Sequence, residues 1–509
     1  MTASGARSLH DLLRGMADPV PDLRVRRLCL DSRELQPGDA FIALRGARHD
    51  ARRYLPQARD AGAAVAIVED EVLEATGPSW TAQARTEQTR TEQTRAAQAL
   101  PTVAVPALRQ RVGEIASRYF GQPSRRLHVA AVTGTNGKTT VSHLFAQLVR
   151  AAGYECGVVG TLGASLDGAA LDSVHTTPDP LSLQETLAAW ADRAVPFASL
   201  EASSHALHQG RVHGVDVDTA IFTNLTRDHL DYHGDMPSYA LAKARLFEFA
   251  SLRGAVLNAD DEFSDFLRQR LDGSVSVLRY GVLAADAEVR ARRLDTCAEG
   301  LRLAIESPWG AASVRCPLLG RFNAANLLAA LSAALQAGLP FAALIAALER
   351  VEAAPGRMQA LRRRGAPLVV IDYAHTPDAL TQVLGALREQ CRGRLIAVFG
   401  CGGDRDRGKR ALMAGAVSAL ADYAVLTSDN PRGEDPAAII ADVEAAMTID
   451  HRSLVDRGAA IAAAIGLAGA GDCVLIAGKG HENYQLVGAR RLAFNDCQVA
   501  RQVLEDVAA

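Results

Sequence analysis

Aromatic residues make up only 5% of this 509-residue chain, and its net charge is −3, from 55 basic against 58 acidic residues. A nucleic-acid-binding surface usually needs a basic excess and aromatic stacking platforms, so both deficits argue against one. Lysine is scarce while alanine and arginine abound, a bias that reads as genomic base composition rather than function. The eight cysteines, at 29, 156, 297, 316, 391, 401, 473 and 497, form no CxxC pair. Their spacing suits neither a zinc site nor a disulfide framework, and reduced thiols in a cytoplasmic protein are the simple reading. Residues 1–18 lack the continuous apolar core of a signal peptide. One stretch, 327–348, is uncharged for long enough to span a bilayer. It is broken by Gln336, Gly338 and Pro340, which predicts two buried soluble helices and no membrane insertion. What is present, 48% hydrophobic and 22% charged residues, is ordinary globular composition. At about 150 residues per domain, the length predicts three to four domains.

Short apolar runs at 40–44 and 63–68 alternate with helical stretches, which predicts a small α/β unit over 1–105. Within it, 76–100 is polar, and the word TEQTR occurs twice between Arg85 and Arg95. Too few apolar side chains for a core predict an exposed, mobile insertion. A second unit, 106–352, opens with a helical pattern. Strands are predicted at 128–132, 197–201, 219–224 and 255–258, with a helix at 139–152 and a helical stretch at 323–352. Strands alternating with helices imply a parallel sheet covered by helices. A third α/β unit, 353–509, carries predicted strands at 368–371, 394–399, 423–427 and 472–477.

Between the first strand and first helix of the second unit lies Thr133-Gly134-Thr135-Asn136-Gly137-Lys138-Thr139-Thr140. A strand before and a helix after are the context of a phosphate-binding loop. Glycines let backbone N–H groups face an anion, and the helix N-terminus adds positive potential. Lys138 can reach the β- and γ-phosphates of a nucleotide, and the Thr139 hydroxyl can hold Mg²⁺. Only two residues separate Gly134 from Gly137, whereas the standard spacing has four. A tight turn with an incidental lysine is the bland alternative, which the strand-loop-helix context outweighs.

This variant loop resembles the ATP loop of the Mur ligases, and the resemblance extends over nearly the whole chain. It includes Asp31-Ser32-Arg33 and Pro37-Gly38-Asp39, Thr176-Thr177-Pro178-Asp179-Pro180, Glu201-Ala202-Ser203-Ser204-His205, and Thr223 to Asp231. Farther on come Gly320-Arg321-Phe322-Asn323, Asp372-Tyr373-Ala374-His375-Thr376-Pro377, Asp429-Asn430-Pro431-Arg432 and Gly478-Lys479-Gly480-His481-Glu482. So many ordered matches are specific, and they fit best the branch of the family that adds diaminopimelate.

The resemblance implies three α/β domains: an N-terminal UDP-binding domain, a central P-loop parallel-sheet ATPase domain and a C-terminal Rossmann-like domain. It implies an ATP- and Mg²⁺-dependent, ADP-forming ligase. The γ-carboxylate of D-glutamate in UDP-N-acetylmuramoyl-L-alanyl-D-glutamate becomes an acyl phosphate, which the amine of meso-2,6-diaminopimelate attacks. Metal binding falls to Glu201, His229, Thr139 and Lys243, with Lys138, Lys243 and His229 catalytic. An ammonium has no acceptor lone pair, so Lys243 could hold a metal only as the carbamate the family carries there. The adenosine falls to Asn258, Asn323, Arg357 and Asp372. UDP falls to Leu30, Ser32, Ala47, Arg48 and His49, where the departure at Ala51 from the family's usual glycine leaves the local turn open. The muramoyl-dipeptide end falls to Thr176, Thr177, Ser203, Gln209 and Arg211, with His175 beside them as either ligand or plain loop. Diaminopimelate falls to Arg405, Asp429, Asn430, Pro431, Arg432, Gly478 and Glu482, because an Arg fork suits the carboxylate that lysine lacks. A monomer is the default expectation. Two other functions remain in view, a folylpolyglutamate synthase-like ligase and a P-loop NTPase regulatory module. The Asp31-Ser32-Arg33 and Asp429-Asn430-Pro431-Arg432 segments argue against the first.

Overall fold

The computed structural model describes residues 5–46, 50–70, 100–166, 170–171, 176–297 and 299–507. Three sheets organise it. In the first, strands Leu28–Cys29, Ala40–Ala43, Val65–Glu69 and Thr102–Val105 run parallel in chain order. The helix Leu108–Tyr119 buries Leu108, Val112, Ile115 and Tyr119 in this unit's core beside Ile42 and Ile67. The expected boundary at residue 105 therefore falls before a helix that serves both units. Residues 71–99, which hold most of the polar insertion, lie outside the described residues, as do Ala47, Arg48, His49 and His175.

The central sheet has eleven strands. The phosphate-loop strand His128–Thr133 lies between Phe197–Glu201 and Thr219–Phe222, all parallel. Cys156–Gly160, Gly254–Asn258 and Ser276–Gly281 extend the parallel part. Its central strands are buried on both faces, which is why they read as unbroken apolar runs. One face carries the helices Lys138–Ala151, Phe322–Gln336 and Phe341–Leu348, and the other carries Pro180–Asp192. The uncharged stretch thus becomes two helices that part at Gly338 and Pro340. Among the described residues, no helix is long and apolar enough to cross a membrane. The parallel sheet also gains an antiparallel edge that was not foreseen, Val289–Cys297, Gly300–Ser307 and Gly310–Cys316. Alternation such as Leu301-Arg302-Leu303 carried its signal, with one face on the core and one in solvent.

The C-terminal sheet orders its strands Gln359–Leu361, Leu368–Asp372, Cys473–Ala477, Leu395–Phe399, Tyr423–Thr427 and His451–Leu454. All are parallel except the first. A hairpin, Tyr484–Val487 with Arg490–Ala493, and the helix Asp496–Val507 complete it. Buried Gln390 seats this domain on the central one. Its side-chain carbonyl accepts from Gly320 N–H at 2.9 Å, and its amide donates to the Cys297 carbonyl at 2.8 Å. Loops at the C-terminal ends of the parallel strands, where α/β ligand sites form, carry the motifs of both domains.

Candidate active site

The phosphate loop is pressed into a wall built by the neighbouring strand end. Thr223 Oγ1 donates to the Asn136 carbonyl at 2.6 Å, Asn224 Oδ1 accepts from Asn136 N–H, and Thr135 N–H donates to the Asn224 carbonyl. Gly134 adopts φ 152°, and a Cβ there would lie 1.8 Å from Thr223 Oγ1, so only glycine fits. The helix Lys138–Ala151 starts at Gly137 with no capping side chain, leaving its first N–H groups for an anion. Lys138 Nζ meanwhile folds back to the Gly134 and Thr135 carbonyls, at 3.0 and 2.9 Å.

Glu201 ends the adjacent strand, opposite Val132, and is fully buried. Its carboxylate accepts from Thr139 Oγ1 at 3.0 Å, Thr161 N–H at 2.8 Å and Thr161 Oγ1 at 3.1 Å. A Cβ on Gly160 would lie 2.0 Å from Glu201 Oε1, so the next strand must be bare where it passes. Burial raises the Glu201 carboxyl's pKa, and the hydrogen bonds and nearby Lys138 oppose that rise. Lys243, from the helix Met236–Ala244, is 1% exposed and donates to the Gly134 carbonyl at 2.7 Å. Burial, and then the charge of Lys138, holds its pKa well below the ordinary lysine value. His229 adopts φ 52°, with Nε2 3.3 Å from Asp228. Burial and the charges of both lysines lower its pKa despite that carboxylate. Loop, carboxylate and lysine thus meet at the C-terminal ends of the central strands.

Beside them stands the wall expected to take the muramoyl-dipeptide. Thr177 Oγ1 donates to the Glu201 carbonyl at 2.7 Å and accepts from Ser203 N–H, while the Thr161 and Thr176 hydroxyls meet at 3.2 Å. Arg211 grips Gln209 Oε1 through Nε and Nη2 and the Thr177 carbonyl through Nη1. In the N-terminal domain, Leu30 lines a cleft of about 700 Å³ with Arg27, Asp31, Tyr119, Asp179 and Ser182. Ser32 is buried and donates to Gln57 Oε1 at 3.2 Å. Asn258 and Asn323 spend their amides on structure. Asn258 Nδ2 donates to the Thr223 carbonyl at 2.7 Å, and Asn323 Nδ2 donates to the Leu319 carbonyl at 2.7 Å. Asp372 accepts from Met358 and Ala374 N–H groups, and Arg357 stacks over Tyr373 at 4.6 Å. The Arg357 charge acts to lower the pKa of both Glu201 and Lys138.

The remaining motifs converge within the C-terminal domain. Asn430 Nδ2 donates to Glu482 Oε2 at 2.9 Å, and its side-chain Oδ1 accepts from Lys479 Nζ and Leu486 N–H. Lys479 is fully buried and pairs with Glu482 at 2.8 Å. Arg432, at φ 51°, donates to the Gly403 carbonyl at 2.9 Å, which brings it to the turn carrying exposed Arg405. A Cβ on Gly478 would lie 2.6 Å from the Asp429 carboxylate, so those two residues also face each other.

Sequence profiles match along the chain: the Mur ligase family catalytic domain over 24–120, the middle domain over 132–334, and the glutamate ligase domain over 356–480. The chain belongs to the Mur ligase family. It is 46% identical to the UDP-N-acetylmuramoyl-L-alanyl-D-glutamate–2,6-diaminopimelate ligase of Alkalilimnicola ehrlichii, over 95% of each chain. It is 44% identical to the ligase of the same name from Pseudomonas aeruginosa, over 95% of this chain and 96% of that one. A solved structure bearing that name superposes with a TM-score of 0.73 at 39% identity, covering 99% of this chain and 100% of the other. A Mycobacterium tuberculosis folylpolyglutamate synthase with ADP and AMPPCP shares the fold, with a TM-score of 0.59 at 22% identity, but covers 71% of this chain.

Sequence reasoning on this Mur ligase left out Thr161 and Arg457, and quoted Asn224 and Lys479 within motifs without giving either a role. Only four of its 55 basic side chains are lysine, namely Lys138, Lys243, Lys409 and Lys479. Lys409 is exposed, whereas the other three lie in the phosphate-loop and amino-acid sites. That signal would have found Lys479.

Proposed function

We propose that this Mur ligase joins meso-2,6-diaminopimelate to the D-glutamate γ-carboxylate of UDP-N-acetylmuramoyl-L-alanyl-D-glutamate, converting ATP to ADP and phosphate. Near-full-length similarity to ligases of that name carries the reading. The site supplies the chemistry. Uncapped N–H groups at Lys138 to Thr140 receive the β- and γ-phosphates, and Lys138 Nζ swings from the loop carbonyls to phosphoryl oxygens. The γ-phosphoryl passes to the glutamate carboxylate, held against Thr176, Thr177, Ser203, Gln209 and Arg211. The diaminopimelate amine attacks the acyl carbon of the resulting acyl phosphate, and phosphate leaves. Arg357 and Asp372 take the ribose, while Asn258 and Asn323 reach the adenine edge only by exchanging their present carbonyl partners. Leu30 and Ser32, with 47–49, take UDP.

A magnesium ion fits the donor set of Glu201, Thr139 and His229, hard or borderline ligands around a buried carboxylate. When bound, it would neutralise charge on the transferring phosphoryl group. Lys243 joins that set once its neutral amine adds to CO₂, releasing a proton and leaving a carbamate. Burial lowers its pKa, which favours the neutral amine that addition needs. ATP and a UDP-linked substrate support a cytoplasmic reaction.

Glu482 and Asp429 receive the far ammonium of diaminopimelate, and Arg432 with Arg405 receives the far carboxylate. Lysine would leave Arg432 without that partner, a loss of about 1–3 kcal/mol. Phosphate release tests the reading. It should require both the sugar-nucleotide dipeptide and meso-diaminopimelate. Release without the sugar nucleotide would identify an NTPase module, and release driven by a folate substrate would identify a folate-type ligase.

A further inference from the structure

Arg457 opens the helix Arg457–Leu467 and is 1% exposed. It makes a two-pronged ion pair with Asp496, the first residue of the last helix: Nε to Oδ1 at 2.7 Å and Nη2 to Oδ2 at 2.8 Å. The same guanidinium also donates to the Ser428 carbonyl at 3.3 Å and the Ala477 carbonyl at 3.0 Å. Ser428 precedes Asp429 and Asn430, and Ala477 precedes Gly478, Lys479 and Glu482. Ala477 ends one strand and Ser428 directly follows the end of another, Tyr423–Thr427, and these two strands carry opposite halves of the amino-acid pocket. Those strands are not neighbours, since Leu395–Phe399 lies between them. No ladder hydrogen bond joins the halves directly.

A fully buried ion pair is weak evidence for stability, because taking both charges out of water offsets much of their attraction. Its geometric value is clearer. A planar fork that satisfies one carboxylate and two carbonyls fixes four acceptors relative to one another. Burial raises the Asp429 carboxyl's pKa, and Arg457 heads the charges that oppose it, so the same group bears on the charge the pocket presents.

We infer that Arg457, held by Asp496, is a positioning residue that sets the spacing between the Asp429-Asn430 and Gly478–Glu482 halves of the pocket, and thereby its preference for diaminopimelate over lysine. The inference rests on the assignment of this pocket to the incoming amino acid. Three variants test it: Arg457→Lys, Asp496→Asn and the apolar double Arg457→Leu/Asp496→Leu. Removing both charges together avoids a stranded buried ion. KM for meso-diaminopimelate should rise about tenfold or more, and the kcat/KM ratio of diaminopimelate to lysine should fall. KM for ATP and for the sugar nucleotide should stay within about twofold, and the double variant's Tm should stay near that of the wild type. If all three KM values move together, or only Tm changes, the pair is structural and the inference fails. Should the double variant not fold, Arg457→Lys carries the test, since it keeps a cation beside Asp496 but cannot reach both carbonyls. Wild-type enzyme that ligates no diaminopimelate would sink the pocket assignment itself, a separate result from active wild type with unaffected variants.

Discussion

The side-chain amide of Gln147 holds both backbone groups of Glu352: Nε2 donates to the Glu352 carbonyl at 2.9 Å, and Oε1 accepts from its N–H at 2.8 Å. Gln147 lies on the phosphate-loop helix, so the chain leaving the central domain is fixed to the nucleotide-binding element up to Glu352. The sequence placed unit boundaries at residues 105 and 352. If the domains move, this tie predicts that the joint lies after Glu352, in 353–358, where Gly356 and Met358 take φ 66° and 48°. Gln147→Ala should speed amide exchange at Glu352 while ATP affinity stays within about twofold. Scattering should show compaction with an ATP analogue and the sugar nucleotide in the wild type. Unchanged exchange at Glu352 would place the joint elsewhere.

Lys243 should carry a carbamate in the working enzyme. With ¹³C-bicarbonate, a carbamate NMR signal is expected that Lys243→Arg lacks, together with a loss of activity of about 100-fold or more, the scale of removing a group that stabilises transition-state charge. A fully active enzyme with an unmodified Lys243 under saturating bicarbonate would contradict this.

Arg432→Ala should lower kcat/KM for meso-diaminopimelate by about 10- to 100-fold, the scale of a lost charge-assisted hydrogen-bond pair. ATP binding, governed by the central domain, should persist, and titration of nucleotide affinity checks it.

His143, on the phosphate-loop helix, is half-buried, and desolvation, with Arg150, Arg357 and His481 nearby, lowers its pKa to about 4. The unfolded chain binds its proton near the ordinary value of about 6.5. The unfolded state therefore holds more protons between those values, and the stability from a neutral His143 is complete above about 6.5 and lost as pH falls toward 4. Denaturant midpoints across that window should fall less steeply for His143→Gln than for the wild type.

The phosphate loop, Glu201 and the order of α/β units were legible because their signals are local: a strand, a glycine turn, a helix, and unbroken apolar runs in strands buried on both faces. The antiparallel edge at 289–316 was missed because arginines on its solvent face broke the apolar runs being sought. Asn258 and Asn323 matched the resemblance, yet their carbonyl partners, Thr223 and Leu319, are set by the tertiary fold. Arg457 was invisible for a related reason. Its partners, Asp496, Ser428 and Ala477, lie 39, 29 and 20 residues away and form no spacing motif.

The most direct test is competition between meso-diaminopimelate and L-lysine for ligation to UDP-N-acetylmuramoyl-L-alanyl-D-glutamate by the wild-type enzyme, read as product mass alongside phosphate release. Strong preference for meso-diaminopimelate, with phosphate released in step with peptide formed, is the expected result. Equal incorporation of lysine, or phosphate release without a new peptide bond, would contradict the assigned roles of Arg432 and the phosphate loop.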